Sequence, residues 1–492
     1  MTDLLLGVDI GTSSCKTALF DADGRVVAQG SSDYPVLYPH RGWAEQDPED
    51  WWQGVCRAVS GMLRESGIDP GRIAGIGVDG QSWSAVALDR VGQVLCPTPI
   101  WTDTRSEALC REAEARLGPE RLFSVCGNPA QPGYSWPKIL WYRKERPEVF
   151  EKTEKILQSN SYIVYRMTGA VTQDLSQGYG LACFDMRRGR WDESACRDLG
   201  IPRKFLPEIV PCHEIVGKLT REAAEATGLA EGTPVVAGAL DAACGTLGAG
   251  VVSPGQTQEQ GGQAGGMSIC IDRYAADPRL ILSFHAVPGR WLLQGGTTGG
   301  GGALKWLRET CCPGMSFADM SEAAEAAEAG SGGVVFLPYM AGERSPIWDP
   351  RACGVFYGLR FGVTQGQMIR ACMEGVAYAL RHNLETAEAA GAKAHVLRSM
   401  GGSANSRVWT QIKADVTGCK IETPASDTAT TLGAAMLAGV GTGVWADFEE
   451  AARKTVTVRQ RFAPRAEARE IYDAGYQTYR ALYERLKDLM DQ

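Results

Sequence analysis

The 492-residue sequence has no excess of basic charge: 50 lysines and arginines stand against 58 acidic residues, which gives a formal net charge of −8. Non-specific binding to nucleic acid needs a basic surface, so this charge balance argues against a nucleic-acid partner. A CxxC pair, which would indicate zinc or a redox disulfide, is also missing among the 15 cysteines. We therefore expect free, mostly buried thiols in a reducing cytoplasm.

The N-terminal residues lack the basic segment and the apolar stretch of a secretory signal. The most apolar run, residues 233–255, has Asp241 near its centre, and a carboxylate inside a bilayer is costly. We therefore predict a closely packed interior helix over 233–255, a cytoplasmic protein and no contact with a membrane.

The first part of the chain alternates between strand and helix patterns. Asp47 and Pro48 predict the start of a helix and Gly67 predicts its end. Apolar runs bounded by turn residues predict strands at 4–10, 17–20, 25–29, 73–79 and 85–89. This alternation is typical of an α/β fold.

A similar opening recurs in the middle of the chain. The patterns there predict three strands and then a helix, at 256–260, 267–273, 290–294 and 302–310. A repeat of this size predicts a duplication. We expect two similar α/β domains, residues 1–248 and 249–492, with a cleft between them.

Residues around the first turn form the first group with recognisable chemistry. Asp9 ends a predicted strand, Gly11, Thr12 and Ser13 form a short loop, and Lys16 opens the returning strand. Backbone N–H groups, hydroxyls and a lysine can surround a phosphate chain, and an aspartate can hold Mg²⁺ through water. No helix follows a GK[ST] sequence, so this is not a Walker loop. Taken alone, the pattern also fits a hairpin without a ligand.

Asp241 is a lone carboxylate in the glycine- and alanine-rich segment 238–245. Burying a carboxylate is costly without a purpose, and small neighbours let other groups approach it closely. Asp241 is therefore a candidate general base that accepts the proton of an attacking hydroxyl. An acid that caps a buried helix is the alternative, and both can hold together.

Two further glycine-rich turns are candidate nucleotide contacts. Gly299 and Gly300 precede a predicted helix, whose free backbone N–H groups attract anions. Gly401, Gly402 and Asn405 lie in a predicted strand-to-helix turn, where a flat adenine could rest against the backbone. Close packing is the alternative explanation for both turns.

These pieces, in this order and over nearly the whole chain, resemble the FGGY family of carbohydrate kinases, which has the ribonuclease H-like, actin-like ATPase fold. Residues 133–141 and 354–374 are similar to the two signatures of the family. Residues 337–346, 374–380 and 162–185 are similar to its xylulokinase branch. Six motifs in order are a far more specific signal than one.

The resemblance implies a role for each group. The first loop would bind the phosphates of ATP, Asp241 would be the general base, and the last glycine turn would hold adenosine. Asp9, and Asp241 through water, would contact Mg²⁺. The second phosphate loop of the family falls on 261–266, where Gly262 lies and the usual hydroxyl is absent.

The sugar contacts of the family fall on Gln81, Ser82 and Trp83, with Trp101 and Asp103 nearby. Xylulokinases typically have Met-His where this chain has Ser82-Trp83, and glycerol kinases have Arg-Glu. A missing hydrogen-bond partner changes discrimination by about 10⁴. The resemblance therefore implies a kinase for a small sugar, and the identity of that sugar stays open.

A ketopentose such as xylulose is the first expectation, with ribulose, L-xylulose, glycerol and gluconate as alternatives. The rival of a different class is an actin- or Hsp70-like ATPase that acts on a protein partner. That class would not need Trp83, Trp101 and Asp103 in a cleft. A homodimer is the default assembly.

Overall fold

The computed structural model describes residues 4–425 and 428–490. In the first half, the strands are β1 (Leu4–Ile10), β2 (Ser14–Phe20), β3 (Val26–Asp33), β4 (Glu45–Gln46), β5 (Ile73–Gly80), β6 (Val86–Leu88), β7 (Thr98–Pro99), β8 (Lys155–Leu157), β9 (Thr172–Asp174), β10 (Phe184–Asp185), β11 (Arg190–Trp191), β12 (Glu208–Val210), β13 (Ile215–Lys218), β14 (Pro234–Val236) and β15 (Ala239–Leu240). The helices are α1 (Pro48–Ser66), α2 (Glu107–Leu117), α3 (Pro119–Cys126), α4 (Ser135–Glu145), α5 (Pro147–Lys152), α6 (Ser159–Thr168), α7 (Glu193–Leu199), α8 (Arg221–Thr227) and α9 (Asp241–Gly248).

In the second half, the strands are β16 (Gln256–Gly261), β17 (Gly265–Ile271), β18 (Ile281–Phe284), β19 (Trp291–Thr297), β20 (Val335–Leu337), β21 (Val355–Tyr357), β22 (Val396–Met400), β23 (Lys420–Pro424) and β24 (Val458–Phe462). The helices are α10 (Gly301–Cys311), α11 (Phe317–Ala326), α12 (Gln365–Ala389), α13 (Arg407–Thr417), α14 (Ala429–Gly441), α15 (Phe448–Thr455) and α16 (Arg469–Leu486).

Each half builds one large mixed sheet. The first has the order β13-β14-β5-β1-β2-β3, with β15 also paired to β5, and the second has the order β18-β19-β17-β16-β22-β23-β24. In each sheet an antiparallel meander, β1-β2-β3 or β16-β17-β19, leads into a parallel neighbour, β5 or β22. This correspondence confirms the predicted duplication. The domain boundary after residue 248 stays a prediction.

Local signals placed several elements correctly. The Asp47 carboxylate caps α1 by accepting from the Glu49 N–H at 2.9 Å, and Gly67 ends the helix with a φ of 66°. The strand predicted at 17–20 begins earlier, at Ser14, because the Gly11 N–H already closes the turn on the Ser14 carbonyl at 3.1 Å. Strand β18 was not predicted.

The prediction of one helix over 233–255 is wrong. The segment contains β14 and β15 before α9 begins at Asp241. Gly238 breaks any helix between them, because its φ is +81° and its backbone lies against the Val78 carbonyl of β5. The resulting strand ends place Asp241 at the edge of the first sheet.

Helix α14 comes from the second half of the chain but packs against the first sheet. A side chain at Gly7 of β1 would clash with the Thr431 carbonyl, and one at Gly77 of β5 would clash with that of Ala434. The two halves therefore meet where this helix packs against β1 and β5.

All fifteen cysteines lie within the described ranges and are free thiols, twelve of them buried, which confirms that prediction. Among the described residues, no helix is both long and apolar enough to span a bilayer.

Candidate active site

Three carboxylates meet where neighbouring parallel strands of the first sheet end. Asp9 of β1 lies opposite Asp79 of β5, and Ala239 of β15 lies on the other side of Asp79. Asp241 follows two residues later, as the first residue of α9. Sequence analysis missed Asp79, although its signal was present: like Asp9, it is an acid at the end of a predicted buried strand.

The environment raises the pKa of each of these carboxyl groups. Burial is the largest cause for Asp241, whose pKa is raised to about 7, and the charge of Asp9 adds to it. Burial, then Asp9 and Asp241, raises the pKa of Asp79 well above its usual range. No N–H or hydroxyl of the described chain donates to the Asp79 oxygens. The three groups therefore hold protons more strongly than isolated carboxyl groups do, and a cation beside them would favour their ionised forms; Lys16 lies opposite Asp9 in the strand pairing.

The first loop is a rigid turn whose carbonyls point into the protein. Gly11 accepts from the Tyr34 hydroxyl at 2.6 Å, and the Thr12 carbonyl accepts from Gln46 Nε2 at 2.9 Å. The backbone N–H groups of Thr12 and Ser13 donate to no other group in the described part of the chain. Free N–H groups beside a lysine favour an anion site over a hairpin that has no ligand.

The second loop is shorter than the predicted 261–266. Strands β16 and β17 stay paired as far as Gly261 and Gly265, so the loop is Gly262, Gln263 and Ala264. The Gly301 N–H donates to the Gly262 carbonyl at 2.7 Å.

The N–H groups of Gly300, Gly301 and Gly302, which were predicted to be free at the start of α10, are bound. The Gly300 N–H donates to the Gln263 carbonyl at 3.3 Å, and the Gly302 N–H donates to the same carbonyl at 2.9 Å. Gly299 lies tightly against Pro338. Close packing therefore explains Gly299 and Gly300 better than a direct nucleotide contact does. The glycine-rich segment that contains them holds the second loop in place.

The last glycine turn lies beside the second loop, because β16 and β22 are parallel neighbours. Gly401 has a φ of +81°, and a Cβ there would be only 3.0 Å from the carbonyl group of Gly261. Gly402 and Asn405 line a cleft of about 640 Å³ together with Gly262. The walls of this cleft include Leu304, Phe317, Ala318 and Trp409. An apolar cleft of this size suits a flat base.

A buried ion pair joins these two turns. Lys413 Nζ donates to Glu259 Oε1 at 2.7 Å and to Ser403 Oγ at 2.6 Å, and Ser399 Oγ donates to Glu259 Oε2. Lys413 and Glu259 are 1% and 5% exposed. Their pairing could not be read from the sequence, since they are 154 positions apart.

Trp83 forms a fixed aromatic wall next to the carboxylates. Its φ of 57° is rare for a bulky residue, and its ring stands edge-on to Tyr134 at 4.7 Å and to Tyr179 at 5.8 Å. The buried Lys138 ammonium donates to the Trp83 carbonyl at 2.8 Å and to that of Gly133 at 2.7 Å. Burial lowers the pKa of Lys138 to about 7.

The other predicted sugar contacts differ in accessibility. Ser82 is half-buried, and Trp101 is 40% exposed and donates from Nε1 to Thr12 Oγ1 at 3.0 Å, which links the wall to the first loop. Gln81 is buried and donates to Gln46 Oε1 at 2.8 Å.

Asp103 is fully buried, and its carboxylate accepts from the Ala44 N–H at 2.7 Å and from Arg105 Nε at 2.9 Å. A sugar contact by Asp103 therefore has no support in this geometry. The residue anchors the turn that carries Trp101.

Two domains of one family match this architecture. The N-terminal domain of the FGGY family of carbohydrate kinases matches residues 4–248, and its C-terminal domain matches residues 277–442. The chain belongs to the FGGY family of carbohydrate kinases. It is therefore a phosphotransferase that uses ATP and acts on a small sugar, and the fold is the two-domain α/β fold of this family.

Individual FGGY kinases match over almost their full length. The xylulose kinase of Bacillus subtilis (strain 168) is 32% identical over 487 residues, which cover 99% of this chain and 97% of that protein. The gluconokinase of the same organism is 30% identical, over 90% of this chain and 88% of its own. The crystal structure of xylulose kinase from Rhodospirillum rubrum superposes with a TM-score of 0.93 at 30% identity, covering 99% of this chain and all of that one.

Proposed function

We propose that this FGGY kinase transfers the γ-phosphoryl group of ATP to a primary hydroxyl of a ketopentose, xylulose first among them. The observation that carries the proposal is the position of Asp241, which follows β15 at the strand ends where Asp9 and Asp79 also lie. Its pKa of about 7 suits a group that takes a proton near neutral pH. The similarity to xylulose kinases supports the choice of sugar.

Each part of the site has its own proposed role. Adenosine would occupy the cleft beside Gly402 and Asn405, and the phosphates would extend toward the N–H groups of the first loop and Lys16. Asp241 would orient the sugar hydroxyl and accept its proton. Trp83 and Trp101 would cover the sugar and exclude water, which would otherwise hydrolyse ATP.

Mg²⁺ fits the carboxylate cluster as a partner of ATP. Asp9, Asp79 and Asp241 are neighbouring carboxyl groups with raised pKa values, which a cation would lower, while no group of three acidic, cysteine or histidine residues in the described ranges has the arrangement of a metal site. We therefore propose that Asp9 and Asp241 hold the ion through water. When bound, Mg²⁺ neutralises charge on the phosphate oxygens.

A sugar acid is the second candidate. A gluconokinase is among the relatives, and Trp83 stands where a histidine is typical of xylulokinases. We also propose a division into domains 1–248 and 249–492, which the two separate sheets support. We further propose a cytosolic location, which the free thiols favour, and a homodimer, which is the commonest assembly. Light scattering during gel filtration tests the dimer.

The test is sugar-dependent release of ADP from the purified protein with MgATP. The panel is D-xylulose, L-xylulose, D-ribulose, glycerol and D-gluconate, and phosphorus NMR locates the new ester. We expect kcat/KM for a ketopentose to exceed that for gluconate by at least tenfold. A higher value for gluconate would establish the second candidate, and ATP consumption unaffected by every sugar would contradict both.

A further inference from the structure

Arg344 lies flat against the end of strand β19. A Cβ at Gly296 would be 3.1 Å from the Arg344 Cζ, 3.2 Å from Nη1 and 3.4 Å from Nη2. Three nearly equal distances mean that the guanidinium plane stacks on the backbone there. Gly296 pairs with Gly266 of β17, two residues beyond the second loop. The guanidinium is therefore beside the loop that lacks the hydroxyl usual in the family.

The residues on both sides hold Arg344 in this position. Glu343 Oε1 accepts from the Thr298 N–H at 2.8 Å and from the Arg344 N–H at 2.7 Å. Ser345 Oγ accepts from the Gly296 N–H at 2.6 Å and donates to Asn383 Oδ1 at 2.9 Å. These hydrogen bonds hold the residues before and after Arg344 against the end of β19. They therefore fix the backbone position from which the Arg344 side chain extends.

No carboxylate within residues 4–425 and 428–490 lies within ion-pair distance of the Arg344 guanidinium, although its charge acts on the carboxyl group of the adjacent Glu343. The Arg344 side chain is half-buried. An arginine that is partly desolvated and has no acid in direct contact is suited to an anionic ligand, to which it can donate two parallel hydrogen bonds.

The charge of Arg344 also acts on residues of the first half of the chain. Burial raises the pKa of the Tyr134 and Tyr179 hydroxyls, and the positive charge of Arg344 acts against that rise at both. The charge of Asp241 acts on Tyr179 in the opposite sense. The same two tyrosines pack against Trp83. The charge of Arg344 therefore reaches the two tyrosines that pack behind the Trp83 wall.

We propose that Arg344 is a catalytic residue that binds the phosphoryl group during transfer. This rests on the proposed function, in which the sugar oxygen bonds to the γ-phosphorus, the bond to ADP breaks, and the hydroxyl proton passes to Asp241. Arg344 donates two hydrogen bonds to the equatorial oxygens of the group in flight and replaces the hydroxyl missing from the second loop. Positive charge at this position stabilises the transition state more than either bound substrate.

The test compares Arg344→Gln and Arg344→Lys with Arg360→Gln, a control that removes the same charge from an exposed position in the same half. We expect Arg344→Gln to lose about 10³-fold in kcat, with KM for ATP and for the sugar changed less than threefold. Arg344→Lys should recover only part of the loss, because an ammonium cannot form the paired contact. Thermal unfolding of each variant verifies that it is folded.

Binding of a transition-state analogue provides a second readout. The wild type should bind ADP with aluminium fluoride and sugar much more tightly than ADP alone, and Arg344→Gln should lose that gain while binding ADP normally. An unchanged kcat, or a raised KM for the sugar alone, would overturn the proposal. A wild type inactive on every sugar would instead contradict the proposed function. In that case the slow transfer of the γ-phosphoryl group from ATP to water would be compared in the wild type and in Arg344→Gln. Equal rates of this hydrolysis would overturn the proposed role of Arg344.

Discussion

The ion pair of Lys413 and Glu259 provides a quantitative prediction about the nucleotide side. It joins α13 to the end of β16, and through Ser403 it supports the turn that approaches the second loop. We consider Lys413→Met, which keeps most of the side-chain volume but removes the ammonium. Glu259 then keeps only its bond from Ser399 and becomes a buried carboxylate without a cation.

Breaking a buried pair from one side costs about 3–5 kcal/mol. For a domain of this size, each kilocalorie shifts the unfolding midpoint by about 2–4 °C, so we expect the midpoint to fall by roughly 10 °C. The chain offers a matched control in Lys393 and Glu388, which are also 2.7 Å apart but are 65% and 54% exposed. Lys393→Met should cost less than about 1 kcal/mol.

Thermal and urea unfolding of both variants measure this difference, and steady-state kinetics measure its effect on function. We expect the KM for ATP to rise in Lys413→Met more than the KM for the sugar, because the pair supports the adenosine turn. Equal stability losses in the two variants would refute the argument from burial. A KM change confined to the sugar would refute the assignment of this cleft to adenosine.

Two other predictions concern the second half of the chain. Gly296→Ala should lower kcat by at least tenfold with little change in stability, because a methyl group would displace the Arg344 guanidinium, and an unchanged kcat would contradict the stacking. Burial lowers the pKa of His285 to about 4, so the unfolded chain binds its proton first as pH falls below about 6.5. Because of this histidine, the free energy of unfolding should fall by about 2 kcal/mol when the pH is lowered from 7.5 to 5. In urea unfolding, His285→Gln should show a smaller decrease over that range than the wild type.

Sequence reasoning succeeded where the signal was local. The Asp47 cap, the Gly67 stop and the strand that carries Asp9 near its end each depend on residues within a few positions, and the structure has them where they were predicted. The duplication was also visible, because the same order of elements recurs in each half.

The failures came from contacts between distant parts of the chain. The helix predicted over 233–255 gave way to strands, since Val235 and Ala239 pair with β5. The N–H groups at the start of α10 were predicted to be free, but those of Gly300, Gly301 and Gly302 are bound by the second loop. Asp79 and Arg344 reach the site only because separate strand ends and a distant loop converge there.

The most direct test of the central claim is sugar-dependent ADP release by Asp241→Asn. The control is Asp272→Asn, which removes the same charge at an exposed position. If Asp241 takes the proton of the sugar hydroxyl, its variant should bind ATP with nearly unchanged affinity and lose at least 10³-fold in kcat with D-xylulose, whereas the control should keep full activity. General-base catalysis typically contributes 10²–10⁴-fold. A kcat within tenfold of the wild type would remove Asp241 from the mechanism.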